Sequence, residues 1–161
     1  MQLDDLAKRL RRERLFQGGD PVETAVEAMI PHRPPMRLVD RVEAVDLEGP
    51  RIRGARRVAV EDPLLAGHFP GEPVYPGVLQ LEMMGQLGLC LLWLMEGGGG
   101  PVDARLLKVH HGSFLAPVPP GAELTIEAAA VERDALAGVI AGQVWHGTTL
   151  CSTGVMEVYF A

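Results

Sequence analysis

Glu82 and Gln86 stand four residues apart in GVLQLEMMGQLGLCLLWLME, residues 77–96, a stretch whose other side chains are nearly all leucine, methionine or glycine. Positions i and i+4 of a helix share a face, so a carboxylate and a carboxamide would lie side by side on an otherwise apolar surface. Burying an unpaired carboxylate is costly. Such a group acquires partners or holds a proton near neutral pH, and a protonated glutamic acid can serve as a general acid. His68 lies fourteen residues upstream in a loop rich in proline and glycine; its imidazole suits general-base work near pH 7. Gly77 opens the helical stretch, where backbone N–H groups lack partners and the helix dipole favours developing negative charge. With no Cβ there, a substrate carbonyl can approach the amide closely. Base, acid and oxyanion donor are thus encoded within residues 68–82.

These groups need elements to position them. Pro76-Gly77 is a helix-opening pair, no proline interrupts the stretch to Glu96, and the glycines at 97–100 end it, so the main helix is predicted there. Being apolar nearly all round, it should be buried on most sides. Ahead of it, residues 36–46 and 51–60 are β-rich and separated by Glu48-Gly49-Pro50, which predicts a hairpin; residues 61–75 read as irregular. Beyond it, strands are predicted at 104–110, 112–116, 122–133, 136–146 and 149–160, with Pro119-Pro120-Gly121 as a turn. At the start, residues 3–16 predict a charged amphipathic helix with Leu3, Leu6, Leu10 and Leu15 on one face, ended by Gly18-Gly19. Pro21 is expected to start a short helix through Met29, stopped by the prolines of PHRPP. The sum is α+β, an antiparallel sheet wrapped around a long central helix. One domain is expected over residues 1–161, with 1–28 as a helical N-terminal extension.

Composition narrows the function. A chain of 161 residues that is 47% hydrophobic closes one sizeable core, and a net charge of −6 lacks the basic excess that attracts a phosphate backbone. Nucleic acid is not an expected partner. The charged N-terminus lacks the apolar stretch of a secretory signal, and the longest apolar run, residues 87–95, is well short of the ~20 residues a bilayer-spanning helix needs. A cytoplasmic protein without membrane insertion is expected. Cys90 and Cys151 have no metal-like spacing, and Cys90 reads as a small buried thiol. His110, His111 and His146 are assigned to packing or surface, and no metal is expected. His32, between prolines, reads as a structural turn residue.

The segment HFPGEPVYPGVLQLE, from His68 to Glu82, resembles the active-site segment of the 3-hydroxyacyl-[acyl-carrier-protein] dehydratases, which runs His-Phe-Pro-Gly, then Pro-Gly-Val-Leu, then Glu. Pro31-His32-Arg33 with Val39-Asp40-Arg41 is similar to that family's early motif, and Phe114 to Gly121 resembles a later Phe-x-x-Pro-Val-x-Pro-Gly segment. The matches span residues 28–160 in family order. The resemblance implies a hotdog fold and a homodimer with possible higher assembly. It implies His68 as base, Glu82 of the partner subunit as acid, Gly77 as the amide, Gln86 as the residue that holds Glu82, and Phe69, Tyr75, Pro76 and Val78 along the substrate. Glu82, where the dehydratase/isomerase branch has Asp, favours the dehydration-only branch; the longer N-terminus and the Leu-Trp-Leu ending of the helix look more like the isomerase branch. Tyr75, where Met is common, and Leu115-Ala116, where basic residues are common, depart from the pattern.

The resemblance implies removal of water from a 3-hydroxyacyl thioester, carried on acyl carrier protein or coenzyme A, to give the trans-2-enoyl thioester in fatty-acid or polyketide-type biosynthesis. No cofactor beyond the substrate's own phosphopantetheine is expected. Arg51, Arg53, Arg56 and Arg57 form a basic cluster that reads either as a solvated strand face or as a docking site for an acidic carrier. Two other functions compete: a hotdog thioesterase, and a non-catalytic acyl-binding partner subunit. The paired His68 and Glu82 favour elimination over both.

Overall fold

The computed structural model describes residues 2–161. Four helices, α1 (Leu3–Leu10), α2 (Val26–Met29), α3 (Pro63–Gly67) and α4 (Gly77–Met95), are set among seven strands. The strands are β1 (Asp20–Pro21), β2 (Arg41–Asp46), β3 (Arg51–Arg57), β4 (Ala104–Phe114), β5 (Glu123–Arg133), β6 (Ala137–His146) and β7 (Thr149–Phe160). They form one antiparallel sheet in the order β1-β2-β3-β5-β6-β7-β4, curled around α4. The α+β expectation and the central helix are both met.

The packing of α4 follows from its composition. Met83, Met84, Leu87, Leu91 and Leu92 are all essentially inaccessible, each worth about 1.5–3 kcal/mol when fully removed from water. Two glycines let helix and sheet interlock. A Cβ on Gly88 of α4 would lie 2.5 Å from the Ile140 side chain of β6, and a Cβ on Gly142 of β6 would lie 2.5 Å from Met84 of α4. Each glycine receives the other element's side chain. In length and composition α4 would suit a bilayer, and the strands β3, β5, β6 and β7 pack against it.

Several boundaries move for physical reasons. The N-terminal helix stops at Leu10 and not at residue 16, because the sheet supplies competing partners. Gln143 of β6 donates from Nε2 to the carbonyls of Leu10 and Glu13, both at 2.7 Å, and accepts from Leu15 N–H at 2.9 Å. Glu127 of β5 accepts from Phe16 N–H at 3.0 Å and from Arg14 Nε at 2.9 Å. Leu6 and Leu10 do face the sheet, against Ala141 and Val155, with Leu3 and Leu15 beside them. Pro21 does not start a helix. It lies in the edge bridge β1, and Val22 N–H donates to Glu43 O at 3.1 Å; a proline is tolerated at an edge because it withholds no ladder hydrogen bond there. Of the expected helical extension, residues 2–28 are therefore only partly helical.

The hairpin is β2–β3, beginning at Arg41. The two strands predicted at 104–110 and 112–116 are one strand, β4, which absorbs the irregularity as register shifts against β7. The stretch read as irregular holds α3, whose first turn Asp62 caps by accepting from Leu64 N–H at 3.0 Å.

Replacing Glu127 by alanine should lower unfolding free energy by about 1–3 kcal/mol, since the buried Phe16 amide loses its acceptor. Urea melts measure this, and an unchanged midpoint would show that the arm is not anchored there. Cys90 and Cys151 are both buried and free. Burial pushes the Cys90 thiol up to about 12, so only about one in ten thousand is ionised at pH 8. Iodoacetamide at that pH should leave Cys90 unmodified in the folded protein and label it in urea; rapid labelling without denaturant would contradict the burial.

Candidate active site

Glu82 and Gln86 lie where α4 meets the loop of residues 32–38, with Gln86 almost wholly buried. Its carboxamide is used at both ends. Oε1 accepts from Leu38 N–H at 2.8 Å, while Nε2 donates to Met36 O at 2.7 Å and to Glu82 Oε1 at 2.8 Å. One buried side chain thus docks the proline-rich loop onto the helix and fixes one oxygen of the carboxyl. The same loop brings His32 to Glu82, with Nε2 3.4 Å from Oε1. These residues open onto a cavity of about 410 Å³ walled by Leu81, Leu89, Val109 and Met156.

His68 follows α3. Its Nδ1 is 2.6 Å from Val74 O; a carbonyl only accepts, so Nδ1 carries the proton and Nε2 is left as the basic nitrogen. The ring stacks on Phe69, centroids 4.1 Å apart. His68 shares a second cavity, of about 470 Å³, with Pro76, Gly77 and Phe114. A Cβ on Gly77 would lie 2.7 Å from the Phe114 ring, so glycine is required for that strand to pass the helix start. The Gly77 amide, in the first turn of α4, has no intrahelical acceptor.

Within one chain the structure therefore makes two groups: His68 with Gly77, and Glu82 with Gln86 and His32. Val78, strongly exposed, lines both cavities. Phe69 is exposed beside His68, and Pro76 borders its cavity. Tyr75 is buried in the core and also borders that cavity; burial is the main cause that pushes its hydroxyl up, with Arg56 opposing. Sequence reasoning missed the position of His32, which lies fifty residues from Glu82 in the chain and meets it only through the docked loop.

Three of the four clustered arginines have carboxylate partners in the same chain. Arg53 pairs with Glu43 at 3.1 Å, Arg56 with Asp40 at 3.1 Å, and Arg57 with Glu123 at 3.7 Å. Arg56 is largely buried, and Asp40 also accepts from Arg57 N–H at 2.7 Å, so this pair ties the start of β2 to the end of β3. Arg51 lies in the same strand at intermediate exposure. Among the described residues, no three of His, Cys, Asp or Glu converge as metal ligands.

A FabA-like domain model matches residues 30–153. The chain belongs to the FabA-like family. Among its relatives, the 3-hydroxyacyl-[acyl-carrier-protein] dehydratase FabZ of Natranaerobius thermophilus is 36% identical, over 80% of this chain and 89% of that protein. The enzyme of the same name from Anaeromyxobacter sp. is 39% identical, over 76% of this chain and 74% of its own. Among solved structures, the dehydratase heterocomplex ApeI:P from Xenorhabdus doucetiae superposes with a TM-score of 0.72 at 20% identity, covering 87% of this chain and 93% of that one. The E. coli PaaI protein of the phenylacetic acid degradation operon gives 0.55 at 10% identity, covering 75% and 78%. These likenesses establish the hotdog fold. The FabA-like match includes His32, His68, Gly77, Glu82 and Gln86.

Gln86→Leu should lower unfolding free energy by about 2–4 kcal/mol, because it strands the Leu38 amide, the Met36 carbonyl and Glu82 together. Arg57→Ala, which breaks only an exposed pair, should stay within about 1 kcal/mol of the parent. Equal effects in the two variants would remove Gln86 from its bridging role.

Proposed function

We propose that this protein dehydrates 3-hydroxyacyl thioesters to trans-2-enoyl thioesters, with acyl carrier protein as the carrier. The observation that carries this reading is the presence in one chain of a bare imidazole nitrogen at His68 and, in a separate cavity, a carboxyl at Glu82 that Gln86 holds by one oxygen only. His68 Nε2 removes the C2 proton, which the thioester carbonyl acidifies when its oxygen is held at the Gly77 amide. Glu82 delivers its proton to the C3 hydroxyl as the C–O bond breaks, and water leaves. The electron pair of the C2–H bond becomes the new double bond, so the step needs no redox partner.

The reaction needs base and acid on one substrate, yet His68 and Glu82 line different cavities of one chain. A second copy reconciles this. The outer edge of β4 is free of sheet partners among the described residues, and Leu106, Leu107 and Val109 are exposed along it; a long apolar edge of this kind invites pairing with another strand. A homodimer joined there would place His68 of one protomer opposite Glu82 of the other.

His68→Ala and Glu82→Gln should each cut dehydration of a 3-hydroxyacyl thioester by about 10²- to 10⁴-fold, read by mass spectrometry as slower appearance of the product lighter by one water, with folding checked by circular dichroism. Losses under about tenfold in both would overturn the assignment, and free thiol as product would make the protein a thioesterase. Subunit exchange between the two inactive variants should restore part of the activity; mixed dimers that stay inactive would place a complete site within each chain.

A further inference from the structure

We infer that His32 is a positioning residue for Glu82, holding Oε1 jointly with Gln86 so that Oε2 is the oxygen that carries and delivers the proton. The inference rests on the reading of Glu82 as the acid and goes beyond it by naming the residue and the oxygen.

The first observation is the arrangement around the carboxyl. Oε1 faces two nitrogens, Gln86 Nε2 at 2.8 Å and His32 Nε2 at 3.4 Å, whereas Oε2 has no protein partner among the described residues. An oxygen that already accepts from Gln86 and has His32 Nε2 beside it is a poor place for a further hydrogen, so in the acid form the proton resides on the other. The carboxyl is then oriented at Oε1 and free to react at Oε2.

The second observation fixes the state of the His32 ring. Nδ1 is fully buried and has no partner among the described residues. An imidazolium, or the tautomer protonated at Nδ1, would leave an N–H buried without an acceptor, and orphaned buried N–H groups are rarer than under-used acceptors. The neutral ring protonated at Nε2 avoids this and leaves its one donor nitrogen 3.4 Å from Glu82 Oε1, near enough to close into a hydrogen bond with a small rotation. At 3.4 Å the contact is longer than a settled N–H···O bond, a spacing typical of catalytic hydrogen bonds before substrate is bound.

The third observation is that the His32 backbone is held on two sides. Arg33 Nη1 donates to the carbonyls of Ile30 at 3.0 Å and His32 at 2.8 Å, and its Nη2 donates to Glu27 O at 3.1 Å. Downstream, Gln86 binds Met36 and Leu38. The segment is pinned to α2 behind the histidine and to α4 ahead of it, which is the support a positioning group requires. The geometry also separates His32 from His68: one donates toward the acid, and the other presents a bare nitrogen as base.

The test compares His32→Leu, which keeps bulk and removes the donor, with His32→Gln, whose amide restores an N–H, each alone and combined with Glu82→Gln. Circular dichroism and melting confirm folding, and kcat and KM are measured on one 3-hydroxyacyl thioester. His32→Leu is expected to lower kcat by about 10- to 100-fold with KM within about twofold, and His32→Gln to recover kcat to within about threefold of the parent. In the Glu82→Gln background, His32→Leu should add no further loss, because it acts only through that carboxyl. A raised KM with unchanged kcat would make His32 a substrate contact and overturn the inference; so would equal loss in the leucine and glutamine variants, or an additive loss in the double variant. If His32→Leu fails to fold, the glutamine variant and its double decide by the same criteria. Full activity in Glu82→Gln alone would instead overturn the acid assignment, which separates the two failures.

Discussion

A nineteen-residue helix that is apolar on nearly every side has to be enclosed, and the rest of this molecule is arranged by that requirement. A flat sheet covers one face of a helix. Only a curled sheet reaches round it, so β3, β5, β6 and β7 all pack on α4, with Gly88 and Gly142 removing bulk where helix and sheet come closest. The loop and α2 close the side that the strands leave open. Enclosure also places the chemistry, because the helix start at Gly77 reaches the rim of the sheet and the turn carrying Glu82 faces the gap beside β4.

Two carboxamides, Gln86 and Gln143, enter this interior with both ends engaged. Gln86 serves two backbone groups of the loop and the carboxyl of Glu82, so docking the loop and orienting the acid are one event. Gln143 works in the same way on the outer face, taking two carbonyls and one amide from the N-terminal arm while Glu127 takes the next amide and Arg14. Leaving such a group unpaired costs about 1–3 kcal/mol, enough to choose one loop path over another. Each amide side chain locks a segment that is irregular because its partners lie elsewhere in the chain.

This economy shapes the reactive groups as well. A carbonyl at Val74 decides which nitrogen of His68 is basic, and a carboxamide at Gln86 decides which oxygen of Glu82 is engaged. Neither choice needs a metal or a displaced backbone. Each follows from a hydrogen bond whose donor is fixed by chemistry, which leaves the opposite atom of the ring or carboxyl available to a substrate.

The sequence by itself determined the central helix, the hairpin, the later strands apart from the break it placed inside β4, and the identity of the family, because those rest on local signals: proline and glycine at element ends, apolar runs, and a motif contiguous in the chain. It also marked His68, Gly77, Glu82 and Gln86, whose types and spacing carry chemistry. Tertiary structure alone decided the rest. The early end of α1, the edge position of Pro21 and the pairing of Arg53, Arg56 and Arg57 depend on partners supplied from Gln143, Glu43, Asp40 and Glu123, some nearby in the chain and some far. His32 is the clearest case. Read locally it is a turn residue between prolines, and it becomes a neighbour of Glu82 only because the buried amide of Gln86, far along the chain, needs the backbone at Met36 and Leu38. Periodicity and propensity report what a segment does alone; a hydrogen bond between distant segments leaves no local pattern to read.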